Sequence, residues 1–113
     1  MGQSREFVDY LVEQLAALGE ITTSRLFGGI GLNYEGRMFA FVSKDTLYLK
    51  TDEVNRAEFE QAGLPRFRPN STKREMPYFQ APAVAIDDRE LLCLWARKGI
   101  DAAKRTAVKK SQR

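Results

Sequence analysis

Residues 21–50, ITTSRLFGGIGLNYEGRMFAFVSKDTLYLK, decide how this chain folds. Ile21–Phe27, Ile30–Tyr34, Arg37–Val42 and Thr46–Lys50 are short runs rich in β-branched and aromatic residues, the composition that suits a pleated, half-buried surface. Only Gly28-Gly29, Glu35-Gly36 and Ser43-Lys44-Asp45 stand between them. Connections this short cannot hold a crossover helix, so the four runs are expected to form an antiparallel meander. Met38-Phe39-Ala40-Phe41-Val42 is apolar at every position. It reads as a central strand, covered on one side by helices and on the other by a loop, a terminal segment or a second subunit.

The flanking segments supply the helices. Before the meander, Ser4 is a natural N-cap, and Phe7, Leu11, Leu15 and Leu18 recur at helical spacing, widened by Val8 and Val12 and stopped by Gly19. After it, Asp52 is expected to cap a helix reaching Ala62, with Val54, Ala57 and Phe59 apolar and Gly63 at its end. Residues 65–74 then read as an irregular basic loop with a short strand at Phe67. Pro77 and Pro82 interrupt the run from Met76 to Ala85, which places any strand there at a sheet edge. Asp87 and Glu90 form an Asp-x-x-Glu capping box for a final helix, with Ile86 stapled onto Leu91. Leu91, Leu94 or Trp95, Lys98 and Ala102 continue one stripe of that helix, while Ala96, Gly99 and Ala103 form a small-residue seam for close packing on the sheet. The fold class expected is therefore α+β: two layers, an antiparallel β-sheet meander with an N-terminal, a middle and a C-terminal helix packed on it.

At 113 residues there is room for one domain, expected over 1–107, followed by a basic, frayed tail at 108–113. Hydrophobic and charged fractions of 43% and 29% are those of a globular protein rather than a disordered one. No apolar run is long enough to span a bilayer and no apolar signal core follows Met1, so a cytoplasmic protein without a membrane partner is expected. One cysteine, Cys93, permits no internal disulfide, which suits a reducing compartment. The net charge of +3 is uneven: Arg97 to Arg113 holds seven basic side chains against Asp101, leaving the body at −3. High basicity describes the tail more than the fold.

The chemistry available is narrow. With no histidine, the commonest general base and zinc ligand are missing. Cys93 lies in Leu91-Leu92-Cys93-Leu94-Trp95 and reads as a small buried hydrophobe. Gly28-Gly29-Ile30-Gly31 is followed by a strand, whereas phosphate-binding glycines precede a helix, so turn or bulge geometry is expected of it. Asp52-Glu53 and Asp87-Asp88 fall at expected helix starts, where negative charge is favoured. Tyr34, Tyr48, Tyr78 and Trp95 read as core aromatics rather than as the lining of a pocket. No catalytic residue, metal ligand or cofactor is assigned, and the chain is not expected to be an enzyme.

Two basic clusters remain as contact residues for a partner or a nucleic acid: Arg66, Phe67, Arg68, Lys73 and Arg74 in the loop, and Lys104, Arg105, Lys109, Lys110 and Arg113 in the tail. Neither sits on a groove-reading motif, so a solvated loop for the first and a helix C-terminus complement for the second are favoured over phosphate contact.

In order along the chain stand Phe27-Gly28-Gly29-Ile30-Gly31, Gly36-Arg37-Met38-Phe39-Ala40, Leu47-Tyr48-Leu49-Lys50, Met76-Pro77-Tyr78 with Ala81-Pro82, and Leu91 to Trp95-Ala96. Over roughly Phe7 to Arg105 this series resembles the N-terminal domain of the TfoX/Sxy family. The resemblance implies a two-layer α+β fold and a regulatory role: full-length members are associated with control of natural competence genes, working with the cyclic-AMP receptor protein at promoters. It hands over no catalytic residues. Those regulators carry a second, C-terminal domain, and the expectation here is a stand-alone domain of the N-terminal type. The partner expected is an unidentified protein, transcription machinery among the options. It would dock on the basic loop or on the sheet face left bare by helices; direct nucleic-acid binding and a homodimer are the other outcomes kept in view.

Overall fold

The computed structural model describes residues 5–26, 28–68 and 76–111, without the side chains of 26 and 108–111. Its elements are α1 (Arg5–Leu15), β1 (Ile21–Leu26), β2 (Gly29–Tyr34), β3 (Arg37–Ser43), β4 (Thr46–Lys50), α2 (Arg56–Gln61), β5 (Tyr78–Gln80) and α3 (Arg89–Ser111). The five strands form one antiparallel sheet in chain order. Both central hairpin turns carry positive φ at two successive residues, Glu35 and Gly36, then Lys44 and Asp45. That is the type I′ geometry whose twist matches the flanking strands. Ser43, expected in the second connection, instead pairs with Thr46 and belongs to β3. Ser4 and Phe27 lie outside the described residues.

The apolar run in β3 is divided between two faces by a bulge. Leu32 pairs with Ala40 but Asn33 pairs with Met38, which leaves Phe39 as the extra residue. Phe39, Ala40 and Val42 all join the core beneath the helices, with Leu32, Leu47, Leu49 and Phe79. Phe41 points the other way, into a ring cluster with Tyr48, Phe67 and Tyr78, and is only 1% exposed. Of the expected covers for this second face the loop is the one observed: Phe67 meets Phe41 edge-on at 4.6 Å. Phe41 therefore needs no second subunit to be buried.

In the helical layer, Val8, Leu11 and Leu15 of α1 are buried, and a 3-10 turn at Ala16–Leu18 ends at Gly19. In α3 the buried stripe is Leu92, Ala96, Gly99, Ile100 and Ala103. The expected stripe was out of phase at its start, since Leu91 and Trp95 are only partly buried and Leu94 is 58% exposed. The small-residue seam is as expected. A Cβ on Gly99 would stand 2.7 Å from the Phe39 carbonyl oxygen, so the helix rides directly on the bulged strand. The helix runs to Ser111, past the Ala107 boundary expected for the domain.

Its cap also differs from the capping box expected. Asp88 accepts the Leu91 N–H at 3.1 Å and its carbonyl accepts the Leu92 N–H, so the N-cap is Asp88. Asp87, one residue earlier, accepts a hydrogen bond from the Tyr10 hydroxyl at 3.0 Å. The carboxylate already engaged by α1 leaves its neighbour to serve the helix.

β5 closes the sheet, but its outer edge is covered. Phe67 N–H donates to the Tyr78 carbonyl and Gln80 N–H to the Pro65 carbonyl, both at 2.8 Å, around a bridge between Arg66 and Phe79. The short strand expected at Phe67 is this single bridge.

Candidate interaction surface

The loop cluster is tied to the sheet. Arg66 is half-buried; its Nε donates to the Met76 carbonyl at 3.1 Å and its guanidinium lies over the Phe79 ring at 5.6 Å. Phe67 sits between Phe41 and Tyr48. Arg68 is exposed, while Lys73 and Arg74 lie outside the described residues.

The tail cluster is tied to β2 and to the turn that follows β4. Lys104 places its ammonium 5.8 Å from the centre of the Tyr34 ring on β2. Arg105 grips Asp52 with two nitrogens, Nη2 reaching Oδ1 at 3.0 Å and Nε reaching Oδ2. Lys109 and Lys110 fall on the backbone of α3 with side chains outside the described residues, as is Arg113. Lys104 and the segment beside β5 are four strand spacings apart, about 19 Å of sheet, whereas Arg105 is held at Asp52, just past the Lys50–Tyr78 and Thr51–Pro77 pairs that join β4 to β5.

Asp52 does more than cap. Its Oδ1 accepts the Val54 and Asn55 N–H groups, as expected of a residue starting a helical turn. The recorded helix begins later, at Arg56, and Val54 is exposed rather than packed. The Arg105 guanidinium, helped by these backbone N–H groups, holds the Asp52 carboxyl below its ordinary range. Asn55, 4% exposed, donates to the Lys98 carbonyl at 2.9 Å and accepts the Asp52 N–H at 2.9 Å. Lys98 also pairs with Glu58 and lies over Trp95, whose ring packs on Phe59. These contacts clamp α2 and its preceding turn to α3. Sequence reasoning missed Asn55 and the Asp52–Arg105 pair because the partners lie 43 and 53 residues away, with no local pattern to join them.

The aromatics read as core are packed in separate places. Tyr48 and Tyr78 belong to the ring cluster on the sheet face opposite the helices, Trp95 faces α2, and Tyr34 lies beside Gly19. Burial pushes the Tyr78 phenol up to about 12 and raises that of Tyr48. Lys50 places its ammonium 5.3 Å from the Tyr78 ring centre. Cys93 is half-buried, its thiol directed at the Gln14 carbonyl and shifted upward by burial against the opposing pull of Arg89 and Arg97. That shift lowers the thiolate fraction, the reactive form. Gly28 takes φ 75° in a turn, and a Cβ on Gly29 would run into the Val42 carbonyl, so these glycines serve the sheet. Among the described residues no group of three or more Cys, Asp or Glu is placed to hold a metal ion, and no helix is long and apolar enough to cross a membrane.

A five-stranded antiparallel meander with its helices on one face is the arrangement the TfoX/Sxy resemblance implied. The family model for the TfoX N-terminal domain matches residues 13–103. The chain belongs to the TfoX N-terminal domain family. No curated protein matches it. The matched stretch of this TfoX N-terminal domain begins within α1 and ends within α3, so it takes in the whole sheet, the bulge and the Asn55–Lys98 contact, and stops short of Arg105.

Proposed function

We propose that this chain is a non-enzymatic regulatory module that acts by protein–protein contact. Membership of the TfoX N-terminal domain family is the observation that carries the reading. The side-chain accounting supports it. Asp52, Asp87 and Asp88, the glycines of the β1–β2 turn and Cys93 all make structural contacts, and so do Arg66 and Arg105. Arg66 holds the loop against β5 and Arg105 holds α3 against the turn before α2. A duplex-binding face needs several cations free to meet phosphates. Clusters whose members Arg66 and Arg105 are already engaged in the fold favour a protein partner over nucleic acid.

The test is a paired measurement. Immobilised chain should recover a stoichiometric protein from lysate of its own cells, with recovery lost on replacing exposed Arg68 by Glu. Fluorescence anisotropy with duplex DNA at about 50 mM salt, where phosphate contacts are strong, should show no association. Tight duplex binding that weakens steeply with salt, lost on truncation before Lys109, would replace the protein-contact reading with the nucleic-acid one.

A further inference from the structure

The sheet face turned away from the helices is nearly free of charge. Cross-strand pairing sets Thr22 with Asn33, Ser24 with Gly31, Phe41 with Tyr48 and Lys50 with Tyr78 on it. Lys50 is the only charged strand residue there, in a chain that is 29% charged. Loss of charge around aromatic rings and a methionine is the composition of an interface core rather than of a solvated surface. The face is also stepped. Over β3–β5 it is high, because Phe67 lies on Phe41 and Tyr48. Over β1 and β2 it is low, with short side chains at Thr22, Ser24 and Asn33 and none at Gly31. The Met38 thioether lies across Gly31, its Sδ 2.6 Å from where a Cβ would stand. Thr22 and Ser24 are exposed, while Asn33, Met38, Tyr48 and Phe67 are half-buried.

We infer that this face packs on the same face of a second copy of the chain, about a twofold axis parallel to the strands near β3. Such an axis sets β4 and β5 of one copy over β2 and β1 of the other. The raised rings of each copy then descend on the short side chains of the other, and Met38 meets Met38 near the axis. An axis across the strands would set rings on rings and leave both low halves empty. The step is what selects a second copy: a face high on one side and low on the other complements itself after this rotation.

Charge agrees with that choice. Lys50 shares its row of the sheet with Met38 and Asn33, so the rotation brings it over Asn33 of the second copy. Two strand spacings, about 10 Å of sheet, keep it from the other Lys50. The footprint, about 19 Å across the strands and about 17 Å along them, is at the small end of specific interfaces. The dimer should therefore be weak, with a dissociation constant on the order of 100 µM. This self-association stands on the shape and charge of the face rather than on the regulatory reading, and either can fail without the other.

Sedimentation of the full chain from about 10 µM to 1 mM should show a concentration-dependent rise toward twice the chain mass. Thr22 and Thr23 are exposed neighbours on opposite faces of β1. Thr22→Lys places an ammonium beside Lys50 of the second copy and should weaken dimerisation by about tenfold or more. Thr23→Lys adds the same charge on the helix side and should dimerise as wild type does. Ser24→Lys, beneath the rings of the second copy, should act as Thr22→Lys does, and takes its place should that variant lose the wild-type circular dichroism spectrum. A wild-type chain that is monomeric at every concentration would leave this face to a different protein and overturn the inference. Equal weakening by Thr22→Lys and Thr23→Lys would move the contact to the β1 edge and overturn it too, as would undiminished dimerisation in folded Thr22→Lys.

Discussion

Replacing Gly99 by alanine sets two effects of opposite sign against each other. In a helix interior alanine is favoured over glycine by about 1 kcal/mol. If α3 lay at an ordinary distance from the sheet, Gly99→Ala would stabilise the protein by that amount. A Cβ there would instead stand 2.7 Å from the Phe39 carbonyl oxygen and 3.4 Å from the Lys50 backbone nitrogen. The obstacle is backbone at the bulge, between the central strand and the longest helix, and no side-chain rotation relieves it. Restoring contact distance moves α3 outward by roughly 0.5 Å, a gap that forfeits a quarter or more of the dispersion attraction along the Ala96–Ile100–Ala103 seam. Overpacking of this kind costs about 1–3 kcal/mol. Subtracting the helix gain leaves a net loss of about 1 kcal/mol, or a Tm lower by roughly 4–8 °C. Urea and thermal unfolding of wild type, Gly99→Ala and Gly99→Val measure it, with exposed Arg97→Ala as a control for helix propensity alone. Valine should cost more than alanine. A Gly99→Ala protein more stable than wild type by the full propensity gain would refute the close approach and the reasoning built on it.

Asn55→Ala should destabilise the domain by about 1–3 kcal/mol, because it strands the part-buried Asp52 N–H and removes the donor to the Lys98 carbonyl; the urea midpoint reports it. The Asp52 carboxyl, held low by Arg105, contributes stability that is present above its ordinary value of 3.8 and is lost as pH falls through its lower folded value. Unfolding followed from pH 6 to 2 should therefore show a shallower acid limb in Asp52→Asn than in wild type; superimposable slopes would count against the pair. Glu35→Asn turns the exposed Glu35-Gly36 turn into Asn-Gly, the preferred type I′ pair, and should raise stability by about 0.5–1 kcal/mol in thermal unfolding.

Much of the fold could be read locally. Thr46–Lys50 coincides with β4, and the other three meander strands fall within a residue or so of their expected limits. A two-residue connection leaves a chain no alternative to turning back on itself. Where neighbouring residues could do the same job, the pattern misled. Asp87 and Asp88 are equally able to cap, and Tyr10, 77 residues away, takes the first and leaves the second to α3. The basic clusters were legible as composition, but whether an arginine faces solvent or Asp52 depends on a partner that sequence does not set beside it.

The strand Met38–Val42 shows the same division most clearly. Its hydrophobicity alone established a central strand buried on both sides, since no partly solvated strand stays apolar at every position. Which side chain faces which layer was decided only by tertiary structure. Strict alternation would put Met38 with Ala40 and Val42. The bulge at Phe39 shifts the phase, so that Phe39, Ala40 and Val42 go under the helices and Phe41 goes beneath Phe67. A bulge costs one unpaired residue and leaves no mark in the order of amino acids. It is retained because Gly99 lets α3 settle on the Phe39 carbonyl on one side while three aromatic rings cover Phe41 on the other. Those contacts join residues far apart in the chain, and only the folded molecule brings them together.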